Sequence, residues 1–207
     1  MKLAIDTTSG FAQLALLRDE KVVVKKSDRE NSQAEEVAGL LGELLEEQDC
    51  RFEDVSEICC LVGPGSFTGI RVSVAFVKGL TLGSDIKIIP VSNFHFFLAN
   101  FLTEFKNYTE AEILIDCGKN KAEFYLQKIS QNMDYIGDAM IISYDEVKNF
   151  SSDNLVIGNF SELIKAPQKN FLASSYKSLK IENIFKLADL KGDCKFEPLY
   201  IRPTYVK

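Results

Sequence analysis

The 207 residues, 46% hydrophobic and 26% charged, suffice to bury the core of one domain or of two small lobes. A formal charge of −6 argues against a chain that grips RNA unaided, because neutralising phosphates needs a basic surface, and leaves room only for a local basic patch. Asp6 interrupts the apolar start Met1-Lys2-Leu3-Ala4-Ile5, and no run reaches the roughly 18 apolar residues of a membrane span, so a cytoplasmic chain away from membranes is expected.

In chain order, Leu3-Ala4-Ile5 reads as a short buried strand running into Asp6-Thr7-Thr8-Ser9-Gly10. Ala12–Leu17 and Lys21–Val24 follow across the turn Arg18-Asp19-Glu20, which predicts a three-strand meander. Ser32 with Glu35 predicts a capping box opening a helix from Ser32 to Gln48. Its stripe of Val37, Leu40, Leu41, Leu44 and Leu45 faces a core, while Ala38, Gly39 and Gly42 leave room for a helix of this molecule or of a partner. Ile58–Val62 is a buried strand, and Thr68 to Leu82 has helical spacing in Ile70, Val74, Val77 and Leu80. Ile86–Ile89 returns as a strand that Pro90 is expected to stop. Ser92 then caps one aromatic helix with Phe94, Phe97, Leu98, Phe101 and Phe105. Five cysteines without a C-x-x-C pair read as reduced core residues, and the one histidine, His95, as a core residue rather than a metal ligand.

Between strand and helix lies the motif loop Gly63, Pro64, Gly65, Ser66, Phe67, Thr68 and Gly69. Glycines permit backbone angles that side chains forbid, and Ser66 or Thr68 can cap the helix. Two readings stand side by side: the open amides bind an anion, or the glycines make a close-packed corner. Walker A is excluded, because no Gly-Lys-Ser/Thr follows. With Ile70-Arg71, Ala75, Lys78-Gly79-Leu80 and Pro90-Val91-Ser92, this string resembles the bacterial TsaB (YeaZ) family. Asn31 stands where that family commonly has histidine before the serine.

The second half repeats the opening theme. Ala111–Ile115, Asp116-Cys117-Gly118 and Phe124–Leu126 read as strand, turn and returning strand after a polar linker over Thr103 to Glu110. The echo supports a duplicated α/β fold. Asp6-Thr7-Thr8-Ser9 and Asp116-Cys117-Gly118 resemble the two phosphate loops of actin-like ATPases, which makes Asp6, Thr7, Thr8, Asp116 and Gly118 the candidate nucleotide contacts. Turn chemistry is the alternative for both loops. Thr8 replaces the usual glycine of the first loop, Phe124 departs from the Glu-Val-Tyr-like string, and Gly158-Asn159 replaces paired glycines. Tyr144–Val147 suggests a short helix, Leu155–Gly158 a strand, Ser161–Ile164 a helix, and Ile184–Leu190 a further helical stretch. Pro198-Leu199-Tyr200-Ile201-Arg202 resembles the family's ending.

The resemblance implies an actin-like ATPase (ASKHA, ribonuclease H-like) fold in two lobes, 1–104 with the partner-binding helices and 105–207, the terminal tail packing back on the first. It also implies a non-catalytic subunit that binds TsaD and, with TsaE, supports threonylcarbamoyl transfer to adenosine next to the tRNA anticodon. The expected partners are TsaD, TsaE within the complex, tRNA only through the complex, and a second copy when alone. ATP or ADP is placed only at the complex interface. Glu36, Leu40, Glu43, Leu44, Phe67, Arg71, Val74 and Lys78 are the candidate contacts, Arg71 and Lys78 reading equally as solvated charges. No metal site and no Ser-His-Asp or Cys-His set can be assembled from the sequence, which lowers a peptidase reading. The alternative is an actin-like small-molecule kinase using Asp6 or Asp116 to hold magnesium through water.

Overall fold

In the computed structural model, which describes residues 1–117, 122–160, 163, 168–187 and 195–201, the opening meander forms as its composition dictates. Strands β1 (Lys2–Asp6), β2 (Gln13–Arg18) and β3 (Lys21–Lys26) pair antiparallel. The β2–β3 turn places Asp19 and Glu20 at φ 47 and 64, the left-handed geometry that a two-residue hairpin with the natural strand twist requires. Helix α1 (Gln33–Glu47), β4 (Glu57–Leu61), helix α2 (Phe67–Leu80) and β5 (Lys87–Val91) follow. Both β4 and β5 run parallel to β1, giving the order β3-β2-β1-β4-β5.

The described residues group into two compact units. Met1–Asn93 with Lys180–Leu199 carries this sheet, and the second unit is built on Phe94–Leu179. In the first, α1 and α2 lie on one face and bury Val37, Leu41, Leu44, Val74 and Val77 against Leu3, Ile5, Ile58 and Cys60. A 3-10 helix at Ile181–Leu187 packs on β1, β2 and β3. Cys59, buried in the middle of the sheet, has its thiol pushed up to about 12 by desolvation first and by Glu57 second, so it stays protonated.

The second unit contains α3 (Asn93–Ala99, its first residue shared with the first unit), α4 (Leu102–Phe105), β6 (Glu110–Asp116), β7 (Glu123–Ser130), β8 (Tyr135–Ser143), α5 (Tyr144–Lys148), β9 (Leu155–Gly158) and β10 (Phe171–Ala173). Its order, β10-β9-β6-β7-β8, repeats the first sheet with β6 in the place of β1. Two sheets of one topology make the duplicated actin-like α/β fold. Leu114, Phe124, Leu126, Val147, Val156, Phe160 and Phe171 form a core on this sheet.

Several local expectations are corrected. The Ser32–Glu35 capping box does not form: Ser32 Oγ instead donates to the Arg29 carbonyl at 2.9 Å and to Glu36 at 2.8 Å. Ser32 sits at φ −105, ψ 15 rather than in the extended geometry of a capping residue, so its oxygen does not accept from the first-turn amides. Pro90 does not stop β5 but sits within it opposite Cys60, which is tolerated because β5 is a sheet edge and needs no donor on its outer side. The aromatic helix is two helices, because Asn100 donates its side-chain amide to the Phe96 carbonyl at 3.0 Å and closes the first piece. Part of the polar linker is therefore helical, as α4. Helical structure begins earlier than expected, as a 3-10 helix over Ile181–Leu187 that overlaps the start of the expected Ile184–Leu190 stretch, whose last three residues, like most of Ser161–Ile164, lie outside the described residues. Strand β8 has no clean alternation because Gly137, at φ 67, lies where the β7–β8 register shifts.

The core assignment has a direct consequence. Leu44→Ala should lower unfolding free energy by about 3 kcal/mol, as cavity formation at a fully buried leucine does. Urea denaturation at neutral pH measures it, and a loss below about 1 kcal/mol would contradict the packing described here.

Candidate functional site: the motif loop and the α1–α2 face

Asp6 ends β1 with its side chain fully buried. One carboxylate oxygen accepts the Thr8 amide at 2.6 Å and the Thr8 hydroxyl at 2.7 Å; the other accepts the Ser9 hydroxyl at 2.6 Å and the Gln13 side-chain amide at 2.7 Å. A carboxylate has about four lone-pair sites, and Thr8 and Ser9 of the loop with Gln13 on β2 take all of them. Thr8 Oγ1 in turn accepts from Asn93 Nδ2 at 2.7 Å. The first phosphate-loop candidate is thus knitted shut by its own side chains.

The motif loop lies on top of it. Thr7 donates its hydroxyl to the Gly69 carbonyl at 2.6 Å, and the Ser66 amide donates to the Thr8 carbonyl at 3.0 Å. A Cβ at Gly69 would overlap the Thr7 carbonyl oxygen, and one at Gly65 would come within 2.8 Å of the Thr8 carbonyl oxygen. These two glycines let backbone meet backbone, so the loop packs closely on the end of β1. Ser66 caps α2 as expected, accepting from the Gly69 amide at 3.3 Å.

The second loop is held differently. The Asp116 amide donates to Asn159 Oδ1 at 2.7 Å, and Tyr144 donates its hydroxyl to the Asp116 carboxylate at 3.1 Å. Gly158 is required by packing, since a Cβ there would overlap the Leu114 carbonyl oxygen. Gly118 lies outside the described residues. His95 is buried, 2.9 Å from the Met133 carbonyl and beside the Tyr135 ring. Among the described residues no cluster of His, Cys, Asp or Glu could hold a metal ion, and no helix is long and apolar enough to cross a membrane.

The α1–α2 surface divides the candidate contacts. Leu44 and Val74 are core residues, 0% and 4% exposed, so neither side chain is available at the surface. Leu40 is half-buried against the core. Glu43, Phe67, Arg71 and Lys78 are exposed, and the Arg71 guanidinium stacks 3.8 Å from the Phe67 ring centroid. Glu36 is half-buried and accepts hydrogen bonds from Ser27 and Ser32 and an ion pair from Arg29, so its carboxyl is held below the usual range, by Ser27 first. Between these side chains the helices expose Ala38, Gly39 and Gly42 on α1 and Ala75 and Gly79 on α2. A Cβ at Gly39, Gly42 or Gly79 would meet nothing within 4 Å. Nothing in the described chain requires glycine there. Sequence reasoning missed Gln13 and Asn93, polar residues in or beside apolar runs, where only a spare donor beside a buried carboxylate could have drawn attention.

The comparisons with known proteins converge. The family model described as TsaD, tRNA N6-adenosine threonylcarbamoyltransferase, matches residues 28–197. The chain is 33% identical over 92 residues to the tRNA threonylcarbamoyladenosine biosynthesis protein TsaB of Haemophilus influenzae, covering 44% of this chain and 39% of that one. It is 33% identical over 99 residues to the Bacillus subtilis protein of the same name, covering 47% and 43%. The matches therefore span well under half the length of these relatives. YeaZ from Pseudomonas aeruginosa superposes with a TM-score of 0.75 at 18% identity, over 97% of this chain and 99% of that one, a likeness of fold.

Two outcomes test the site. Gly69→Ala should cost about 3 kcal/mol because the obstructing atom is backbone, whereas Gly79→Ala should stabilise by up to about 1 kcal/mol; chemical denaturation of both variants reads the contrast, and equal effects would refute it. The second concerns Glu36. Its folded pKa is depressed, so its contribution is present above the unfolded value and lost as pH falls through the folded one. Glu36→Gln should destabilise at pH 7, and thermal melts at successively lower pH should show the difference from the parent chain shrinking below the ordinary glutamate range. A difference that persists unchanged in acid would overturn this assignment.

Proposed function

We propose, from the chain's membership of the family whose model is described as TsaD, its likeness to TsaB (YeaZ) proteins and the geometry of the α1–α2 face, that it is a TsaB-type non-catalytic subunit in tRNA threonylcarbamoyladenosine biosynthesis, acting by binding TsaD. In this reading the subunit positions the transferase that adds a threonylcarbamoyl group to adenosine next to the anticodon. TsaE joins in the assembled complex, and tRNA is met only through it. A second copy occupies the same face when TsaD is absent. ATP or ADP belongs to the complex interface rather than to this chain alone.

The observation that carries the proposal is the set of exposed glycines on adjacent helices. Glycine in a helix interior costs about 1 kcal/mol relative to alanine, and at Gly39, Gly42 and Gly79 no contact within the described chain accounts for that cost. A partner whose backbone comes close to these helices does account for it. Phe67 and Arg71 at one end supply the aromatic and guanidinium groups that anchor interfaces. The saturation of Asp6 supports the non-catalytic half of the reading, because a carboxylate committed to four donors is poorly placed to hold hydrated magnesium. That same feature weighs against the autonomous kinase.

The test is co-purification with TsaD from the same organism, followed by sizing with and without ATP. Wild-type chain should form a stable heteromer and show no ATP turnover alone. Gly42→Trp or Arg71→Glu should weaken association about tenfold or more while the melting temperature stays near the parent value. Absence of association by wild type, or magnesium-dependent ATP hydrolysis by the isolated chain, would move the assignment to the kinase.

A further inference from the structure

The last described residues of the first unit cross both ends of the loop-and-helix piece that carries this face. The Leu199 amide donates to the Val62 carbonyl at 2.8 Å, where β4 gives way to the motif loop. The Leu199 carbonyl oxygen lies where a Cβ on Gly63 would approach within 2.9 Å, so the segment runs directly over a residue held at φ 107. Three residues earlier, Phe196 packs against the core of the first unit, and the Lys78 ammonium sits 5.7 Å from its ring centroid. Lys78 is exposed on α2 next to Gly79. One short segment thus touches the start of the loop and the last turn of α2, which are joined in sequence only through the helix itself.

We propose that residues Phe196–Leu199 are a strap that sets the position of the motif loop and α2, and that TsaD binding to the α2 face depends on the strap being seated; the inference rests on the partner reading given above. The strap adds no element to the sheet. It is held by one described backbone hydrogen bond and by two partly buried apolar side chains, the kind of attachment that opens locally without global unfolding. When it opens, Lys78 loses its aromatic neighbour and Val62 its donor, and the face loses its fixed end. Because coupling is reciprocal, a partner that prefers the seated state also holds the strap down. The strap is therefore a positioning element that lies apart from α1 and α2 in sequence.

The experiment compares full-length wild type with Phe196→Ala and Phe196→Leu, by titration against TsaD and by amide hydrogen exchange of the isolated chain. Phe196→Ala should bind TsaD about tenfold more weakly, in the usual range of coupling between sites, and exchange across Gly65–Lys78 should accelerate. Phe196→Leu keeps an apolar side chain on the core and should bind within about twofold of wild type. Should Phe196→Ala fail to fold, Leu199→Ala carries the same two readouts. Unchanged affinity, or unchanged exchange across Gly65–Lys78 in the isolated chain, overturns the strap. Failure of the wild-type chain to bind TsaD overturns the partner reading, and the exchange measurement then still decides whether the strap positions α2.

Discussion

The contact between the Thr7–Thr8 backbone and the motif loop is the constraint on which the first unit depends. Peptide groups can approach this closely only where no Cβ intervenes, and Gly65 and Gly69 provide that absence. The approach is held by hydrogen bonds in both directions, from the Ser66 amide to the Thr8 carbonyl and from the Thr7 hydroxyl to the Gly69 carbonyl. Buried polar groups must be paired, and here the loop ending β1 and the loop opening α2 satisfy one another. Asn93 extends the pairing to the end of β5, donating its side chain to Thr8 and its amide to the Gly63 carbonyl. The start of α2, and with it the direction of the whole helix, follows from this knot.

The two halves of the duplicated fold use the same position differently. After β1 the aspartate is enclosed by four donors and fully buried. After β6 the corresponding Asp116 is half-buried, with its amide held by Asn159 and its carboxylate approached by the Tyr144 hydroxyl. In both cases the acid contributes to local structure through hydrogen bonds from its neighbours. In the first loop Thr8 supplies both an amide and a hydroxyl to Asp6, and Ser9 and Gln13 take the remaining acceptor sites, so three residues together close it.

The sequence revealed strongly what depends on short-range pattern. The meander, both long helices and the strands flanking the motif loop follow from alternation and helical spacing, and Ser66 was legible as a cap because its partner lies three residues on. The duplicated topology was legible because Ile113–Asp116 repeats the apolar-then-acid order of Leu3–Asp6. What was not legible depended on partners distant in sequence or on competition among neighbours. Ser32 was expected to present its oxygen to the first-turn amides, but its hydroxyl turns to Glu36, a carboxylate that also draws Ser27 and Arg29. Leu44 and Val74 belong to stripes too wide to separate core from surface by spacing alone, and packing against the sheet assigns them to the core. Asn93 and Gln13 reach partners 85 and 7 residues away, and no local motif announces such bonds.

The charge distribution on the two helices follows from different causes and bears on how the face can be met. The last turn of α1 carries Glu46 and Glu47 and no basic residue, opposite to what the helix macrodipole favours. Lys25 on β3 offsets part of this by pairing with Glu43 and Glu47, and those carboxylates raise its pKa, the hydrogen bond it donates to Glu47 first. On α2 the order is reversed, with Lys78 in the last turn where the dipole welcomes it and Arg71 stacked on Phe67. The surface therefore presents acid along one helix, base along the other and open glycines on both. Exposed charges of this kind contribute little to affinity one by one, but they exclude partners of a single sign and set the orientation in which a complementary one arrives. In the proposed complex, shape at the glycines then decides how closely the partner can settle.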